Sequence, residues 1–279
     1  MLRGDDVVDV AVVGDLPPDP VAALASGPET LRALSVAVAG GAPGVPLADV
    51  RLLAPVARPP KFFAIGLNYA DHVAEARLET PEFPVVFTKL PTCVAGPHDD
   101  VQRPLVSDQL DYEGELGFVI GRRCRHVPRE RAADAIAGYV AVNDVSVRDW
   151  QTRTPQWTLG KSFDTHGPFG PWLVTPDEVG DPHALDIRTW VNGELRQHSN
   201  TRHLIHDCYA LVELLSTVCT LEPGDVVATG TPSGVGMLMD PPRLLRAGDV
   251  VRVEIERIGA IENRVVDEPS PALEEGGVA

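Results

Sequence analysis

A chain of 279 residues with a net charge of −16 and a sequence pI near 4.8 should not be attracted to nucleic acid or anionic membranes. Hydrophobic residues make up 44% of the chain, which is enough for a substantial core. Its four scattered cysteines form no Cys-x-x-Cys pair, so neither a zinc site nor a disulfide framework is indicated. The acidic start MLRGDDVVDV is unlike a signal peptide, and no apolar stretch is long enough for a membrane span. We therefore expect a cytoplasmic protein with no membrane or nucleic-acid partner.

Residues 1–58 are predicted to form a separate small α/β domain. The run VVDVAVVGDLPPD indicates a strand that ends in a proline-rich turn. The spacing of Leu31, Leu34 and Val38 predicts a helix in the next segment. A Pro-Pro break then predicts the start of a main domain over residues 59–267. Residues 268–279 are acidic and rich in Pro and Gly, and we expect them to be a loose tail.

Short strand patterns dominate the main domain. Runs rich in Val, Ile, Phe and Trp, each bounded by turn-forming residues, occur in KFFAIGL, PVVFTKL, ELGFVIG, GYVAVNDV, GPWLVT, DIRTWVNGEL, DVVATG and DVVRVEIERIG. Asn192-Gly193 predicts a hairpin turn. Helices are predicted in NYADHVAEA, RERAADAIAGY and HLIHDCYALVELLSTVCT. The pattern indicates a β-dominated α+β fold rather than an alternating parallel α/β fold.

Two glutamates, Glu113 and Glu115, stand at the start of an apolar strand pattern in DYEGELGFVIG. Residues two apart in a strand point to the same side, so both carboxylates should share one face with Val119. Leu116 and Phe118 should occupy the other face. Adjacent carboxylates on a half-buried strand repel each other and are costly to desolvate. The strand end is therefore exposed to solvent, faced by basic side chains, or bound to a cation.

Asp144 offers a third carboxylate at the end of the strand pattern GYVAVND. Oxygen ligands without cysteine or clustered histidine suit Mg²⁺, Mn²⁺ or Ca²⁺ better than zinc. Three carboxylates would also leave coordination positions for water and substrate. This arrangement is typical of a catalytic cation rather than of a closed structural site.

His72 and Glu75 would lie on one face of a helix that begins near Ala70. The glutamate could orient the imidazole, and the pair could then deprotonate a water molecule. His/Glu pairs with this spacing are also common without any catalytic role.

Three further polar residues are candidates for substrate binding. Lys161 lies among apolar and glycine residues, so it should not be on an ordinary solvated surface, and it could hold a carboxylate or enolate oxygen. Arg148 and Gln151 follow Asp144 by four and seven positions, which a helical turn would place on the Asp144 side. Ordinary salt bridging is the alternative for these two residues.

The loop ATGTPSGVG is rich in glycine but lacks the motifs of nucleotide-binding loops. Its backbone N–H groups and the Thr231 hydroxyl could bind a small anion. Nucleotide binding is not indicated.

Taken together, the motifs closely resemble those of the fumarylacetoacetate hydrolase family. The resemblance is carried by GLNYADH, DYEGELGFVIG, GYVAVNDVSVRDWQ, GKSFDTHGPFGPW, VNGELRQ and LEPGDVVATGTPSGVG, and it covers about residues 61–266. It implies a mixed β-sheet roll, usually in a homodimer, with a small N-terminal domain. It also implies one Mg²⁺ or Mn²⁺ held by Glu113, Glu115 and Asp144.

The same resemblance assigns roles to the other candidate residues. It implies that His72 and Glu75 form a water-activating dyad on a lid segment, and that Lys161 serves both catalysis and substrate binding. Arg148, Gln151 and Thr231 are implied to bind substrate. The implied substrate is a small anionic 2-oxo or 2,4-dioxo acid.

The resemblance leaves the reaction open. The first hypothesis is Mg²⁺- or Mn²⁺-dependent hydrolysis of a C–C bond in an acylpyruvate or fumarylpyruvate, through a metal-bound enolate. The alternatives on the same site are decarboxylation of oxaloacetate and isomerisation of a hydroxydienedioate. A third hypothesis is a catalytically silent relative that binds small acids.

Overall fold

The computed structural model describes residues 1–10 and 20–270 of the chain. Its strands are β1 (Leu2–Arg3), β2 (Asp6–Val8), β3 (Gly44–Pro46), β4 (Phe62–Gly66), β5 (Val85–Thr88), β6 (Val94–Ala95), β7 (Val101–Arg103), β8 (Leu110–Asp111), β9 (Gly114–Ile120), β10 (Ile136–Asn143), β11 (Ser146–Val147), β12 (Gly167–Val174), β13 (Asp186–Val191), β14 (Glu194–Asn200), β15 (Val226–Ala228), β16 (Val250–Ile255) and β17 (Gly259–Asp267). Its α-helices are α1 (Pro20–Ala25), α2 (Pro28–Ala39), α3 (Ala70–Glu75), α4 (Arg148–Gln151), α5 (Thr158–Lys161), α6 (Pro176–Val179) and α7 (Cys208–Val218).

The N-terminal segment contains a small antiparallel sheet, β1-β2-β3, and the helices α1 and α2. The predicted helix is divided in two, because proline interrupts the hydrogen bonding of a helix interior and is favoured in a first turn. Leu34 and Val38 are buried, as their spacing predicts. Most of VVDVAVVGDLPPD lies outside the described residues, as do residues 271–279 of the predicted tail. The domain boundary near residue 58 stays a prediction.

The main part of the chain is built on two mixed sheets. One has seven strands in the order β5-β4-β15-β9-β10-β12-β6, and the other has five in the order β14-β13-β16-β17-β7. Most neighbours are antiparallel, while β4/β15, β6/β12 and β7/β17 are parallel. The predicted β-dominated α+β class with mixed sheets is therefore confirmed.

Local predictions had different outcomes. The Asn192-Gly193 hairpin is confirmed, with positive φ at both residues between β13 and β14. The helix predicted in RERAADAIAGY is wrong: residues 129–135 form a 3₁₀ turn, and Ile136 begins β10, which pairs with β9. Helix α7 begins only at Cys208, where the Asp207 side chain accepts a hydrogen bond from Ala210 N at 2.9 Å.

The register of β9 with β10 positions the acidic residues. Gly114 lies opposite Asn143, and Asp144 N donates to Glu113 O at 2.8 Å just beyond this pair. Side chains opposite each other in an antiparallel pair point to the same side. Glu113, Glu115 and Asp144 therefore share a face. In the parts of the chain that the structure describes, no helix is both long and apolar enough to cross a membrane.

Candidate active site

Three carboxylates meet where β9 begins and β10 ends. One oxygen each from Glu113, Glu115 and Asp144 lies within 4.8 Å of the other two. The residues are only 6%, 1% and 0% exposed, respectively, so the hypothesis of a solvent-exposed strand end is wrong. Val119 packs in one apolar cluster, while Leu116 and Phe118 pack in another, as the alternation of the strand predicts.

Basic side chains do face the acids. Lys161 Nζ donates to Glu113 Oε2 at 2.6 Å and to Asp144 Oδ2 at 2.8 Å. Arg148 Nη1 donates to Glu113 Oε1 at 2.5 Å, and Arg148 Nε donates to Asp111 Oδ2 at 2.9 Å. Both oxygens of Glu113 are therefore held by cations, which fixes the orientation of its carboxylate.

The two glutamates have opposite electrostatic environments. Burial would raise the pKa of Glu113, but Lys161 and Arg148 lower that pKa to about 2. Burial raises the pKa of Glu115 well above its usual value, and the Asp144 and Glu113 carboxylates raise it further. The basic side chains therefore compensate the negative charge of Glu113 better than that of Glu115.

Arg148 and Gln151 reach the site by a different path from the one predicted. Ser146 and Val147 form β11, which pairs with β8, and α4 begins only at Arg148. Asp144 is therefore not on a shared helical face, and that part of the prediction is wrong. Gln151 is in contact with the cluster through Arg148, whose Nη1 donates to Gln151 Oε1 at 3.0 Å.

Lys89 was not among the candidates from sequence, yet it contacts the cluster. Its Nζ donates to Asp144 Oδ1 at 2.6 Å, and both side chains are 0% exposed. Lys89 also donates to the main-chain oxygen of Lys161. The chain contains only Lys61, Lys89 and Lys161, against 21 arginines. This scarcity of lysine was a usable signal, because Lys89 lies at the end of an apolar strand.

The glycine-rich loop around residues 230–237 holds three carboxylates through backbone amides. Gly230 N donates to Glu115 Oε2 at 2.7 Å, and Gly234 N donates to Glu75 Oε1 at 2.9 Å. The amides of Gly236 and Met237 both donate to Asp111 at 2.9 Å. The loop therefore binds anionic groups, but those described are the protein's own carboxylates.

Thr231 lies in the same loop and is buried. Its hydroxyl donates to Gly114 O at 2.9 Å and accepts from Gln197 Nε2 at 2.8 Å. These contacts connect the loop to β9 and β14. Substrate binding by Thr231 stays a prediction.

The dyad lies on α3, which begins at Ala70 as expected. His72 Nδ1 is 3.2 Å from Glu75 Oε2, and Gly234 N holds the other Glu75 oxygen. His72 is also close enough to Glu113 to contribute to lowering its pKa. The Asn68 side chain donates to Thr229 O at 2.7 Å, which connects the start of this segment to the loop after β15. The imidazole is thus oriented beside the carboxylates.

These donors fit a hard divalent cation. All three candidate ligands are carboxylate oxygens, and no Cys or His belongs to this group. Burial raises the pKa of Glu115 most, and the Asp144 and Glu113 carboxylates raise it further, so a bound cation would balance negative charge at this point. Glu113, Glu115 and Asp144 could therefore hold Mg²⁺ or Mn²⁺ and leave positions for other ligands.

Comparison with known proteins identifies the family. The profile described as "Fumarylacetoacetate (FAA) hydrolase C-terminal" matches residues 61–266. The chain belongs to the fumarylacetoacetate hydrolase family. The match covers the carboxylates, the basic residues, the dyad and the glycine-rich loop.

Members of this family with different named activities are similar to the chain. A Xenopus laevis protein named "Oxaloacetate tautomerase fahd2, mitochondrial" is 47% identical over 220 residues, which cover 78% of this chain and 69% of that protein. The solved 2-hydroxyhepta-2,4-diene-1,7-dioate isomerase of Mycobacterium marinum is 43% identical, with a TM-score of 0.72 and coverage of 82% of both chains. Maleylpyruvate hydrolase of Sphingobium sp. SYK-6, solved with manganese(II) and pyruvate, is 34% identical, with a TM-score of 0.82 and coverage of 96% of both chains.

The family includes hydrolases, isomerases and tautomerases, and its membership supports an enzyme here. The maleylpyruvate hydrolase structure contains a manganese(II) ion, so a member of this family binds a divalent metal. The carboxylate cluster of this chain could bind a metal of that kind.

Proposed function

We propose that the chain catalyses proton transfer on a small 2-oxo acid, with keto–enol tautomerisation of an oxaloacetate-type acid as its main reaction. The observation that carries the proposal is the His72/Glu75 pair, at 3.2 Å, held beside a buried cluster of three carboxylates. Relatives named as oxaloacetate tautomerases, at 43–47% identity, support this reaction over hydrolysis.

The residues of the chain divide the work between binding and proton transfer. Glu113, Glu115 and Asp144 would hold one Mg²⁺ or Mn²⁺, which would act as a Lewis acid towards the carboxylate and keto oxygens of the substrate. His72 would carry the proton between the enol oxygen and the carbon next to the keto group, with Glu75 stabilising the imidazolium while His72 holds that proton. Lys161 and Arg148 would add positive charge near the developing enolate oxygen. Gln151 and Thr231 would orient the bound acid.

Hydrolysis of a C–C bond in a 2,4-dioxo acid is the second candidate. The same dyad could deprotonate water for attack on the distal carbonyl group. The similarity to maleylpyruvate hydrolase over 96% of the chain favours this candidate. Decarboxylation of oxaloacetate and isomerisation of a hydroxydienedioate need the same enolate stabilisation. These reactions differ in the fate of the enolate, so product analysis separates them.

The test is a substrate panel in Mg²⁺ and then in Mn²⁺. The panel contains enol-oxaloacetate, acetylpyruvate, fumarylpyruvate and a hydroxyheptadienedioate. We expect rapid loss of the enol absorbance of oxaloacetate with no release of carbon dioxide. Pyruvate plus a carboxylic acid from a dioxo acid would replace the tautomerase with the hydrolase. Absence of turnover with every member would contradict both.

We also propose that the protein acts as a cytoplasmic homodimer. Family resemblance supports the dimer, and light scattering during gel filtration measures it directly. A monomer mass at the concentration used for assays would contradict the dimer.

A further inference from the structure

Lys89 is enclosed by protein on every side. Its side chain is 0% exposed, its Nζ donates to Asp144 Oδ1 at 2.6 Å, and it also contacts the main-chain oxygen of Lys161. A Cβ added to Gly167 would lie 3.2 Å from Lys89 Cε, so the backbone of β12 packs against the lysine side chain. Lys89 therefore affects a bound acid through Asp144 and through its charge rather than by direct contact.

The charges around Lys89 are unequal in number. Four buried carboxylates face three buried basic side chains: Asp111, Glu113, Glu115 and Asp144 against Lys89, Arg148 and Lys161. With all four carboxylates ionised, as cation binding requires, a divalent cation would change the excess of one negative charge into an excess of one positive charge. That excess would attract an anionic oxo acid, and the low dielectric of the buried site strengthens the effect.

The charge of Lys89 would act in opposite directions on the bound divalent cation and on the oxo-acid anion. Its charge repels a cation bound at Asp144 and competes for that carboxylate, yet the same charge attracts the substrate anion. Lys161 and Arg148 could face the substrate directly, whereas Lys89 is buried behind Asp144. Lys89 therefore acts from behind Asp144 whichever ligand is bound.

We infer that Lys89 is a positioning residue whose buried charge weakens the binding of the divalent cation and strengthens the binding of the oxo-acid anion. The inference rests on the proposed function, because it takes both ligands from it. It assigns the balance between the affinity for the cation and the affinity for the anion to one residue that does not contact the substrate.

The experiment measures both affinities in Lys89→Met and Lys89→Gln. Titration calorimetry gives the dissociation constant of Mn²⁺, and then that of pyruvate for the Mn²⁺-loaded protein. Lys61→Met is the matched control, because Lys61 also contacts a buried carboxylate, Asp225, at 2.9 Å, away from the cluster. Met removes the charge and the hydrogen bond of Lys89, while Gln removes the charge and can still donate to Asp144.

We expect the Mn²⁺ dissociation constant of Lys89→Met to fall by about tenfold and that of pyruvate to rise by about tenfold. Lys89→Gln should shift both constants in the same directions, and Lys61→Met should leave both near the wild-type values. Weaker binding of both ligands would indicate loosened structure and overturn the inference. Wild-type behaviour of Lys89→Gln would assign the effect to the hydrogen bond and overturn it as well.

The outcome also separates this inference from the proposed function. If Lys89→Met does not fold, the Lys89→Gln protein decides by the same two constants. A wild-type protein that binds neither Mn²⁺ nor pyruvate would overturn both proposals. A wild-type protein that binds both, with no opposite shifts in the Lys89 variants, would overturn only the role of Lys89.

Discussion

At the scale of single residues, Glu113 and Glu115 occupy the same face of β9 but are stabilised differently. Glu113 is paired with Lys161 and Arg148, and these cations lower its pKa to about 2. Glu115 accepts a backbone hydrogen bond from Gly230, while burial and two neighbouring carboxylates raise its pKa well above the usual value. Glu113 is therefore favoured in its charged form, and Glu115 in its neutral form when no cation is bound.

The contrast predicts different results for the same substitution at the two positions. Glu113→Gln removes one of the two carboxylate partners of both Lys161 and Arg148 in a buried site, so the free energy of unfolding should fall by about 3 kcal/mol. Glu115→Gln replaces a carboxyl group whose neutral form is already favoured by burial and by the neighbouring carboxylates, so stability without metal should be unchanged or higher. Both changes should abolish the rise in melting temperature that saturating Mn²⁺ gives the wild type.

Thermal unfolding with and without Mn²⁺ measures these effects. Gln at an exposed carboxylate such as Glu82 is the matched control, and it should keep the Mn²⁺-dependent stabilisation. Full stabilisation by Mn²⁺ in either site variant would contradict the assignment of that glutamate as a ligand.

Metal binding should also depend on pH through Glu115. Its raised pKa means that the metal-free site retains a proton to a higher pH than an ordinary glutamate does. A cation requires the carboxylate form, so Mn²⁺ binding should release a proton and weaken as pH falls. Calorimetry in two buffers with different ionisation enthalpies measures the number of protons released. Identical apparent enthalpies in the two buffers would contradict this prediction.

At the scale of elements, the site depends on pairings that sequence periodicity does not contain. Alternation along β9 was enough to predict that Glu113 and Glu115 share a face. The place of Asp144 depends on the register between β9 and β10, and family resemblance supplied it. The helical spacing assumed for Asp144, Arg148 and Gln151 was wrong, because residues 146–147 pair with β8 before α4 begins. That pairing joins segments distant in sequence, which local spacing does not reveal.

The close approach of α4 and α5 gives a prediction for Gly160. A Cβ at this position would lie 2.3 Å from Gln151 N and 2.5 Å from Gln151 Cα, both backbone atoms. Gly160→Ala should therefore displace α5 and move Lys161, its last residue, away from Glu113 and Asp144. We expect kcat to fall by about tenfold or more, because catalytic groups need precise placement.

Gly40→Ala is the matched control for this change. Gly40 has a negative φ, and its added Cβ would meet Val36 O at 3.3 Å and Ala37 O at 3.4 Å, in the N-terminal segment. It should keep the wild-type kcat. Equal kcat values for Gly160→Ala and the wild type would show that α5 tolerates the displacement.

At the scale of the whole molecule, composition and strand patterns predicted a β-dominated chain but not its sheet order. The hydrophobic runs were recognisable because each is short and bounded by turn residues. The seven-stranded order needs contacts between β4, β15 and β9, whose segments are far apart in sequence. Asp111 was missed for a related reason, since its local sequence is unremarkable and it becomes important only through a distant partner, Arg148.

Acid should reduce the stability of the whole fold through His166, a buried histidine outside the dyad. Its side chain stacks near Phe163, and its Nε2 donates to Gln102 O at 2.7 Å. Burial lowers its pKa to about 3, below the usual value of 6.5. The unfolded chain therefore binds a proton more readily than the folded chain does between these two pKa values.

The contribution of His166 to stability is complete above pH 6.5 and is lost as pH falls towards 3. In that window its loss should approach about 1.4 kcal/mol per pH unit. Urea unfolding at several pH values measures the slope, and His166→Gln should reduce it by that amount relative to the wild type, because glutamine does not titrate. His98→Gln changes an exposed histidine and should leave the slope as in the wild type. Equal slopes for the wild type and His166→Gln would mean that the buried imidazole accepts a proton without opening the fold.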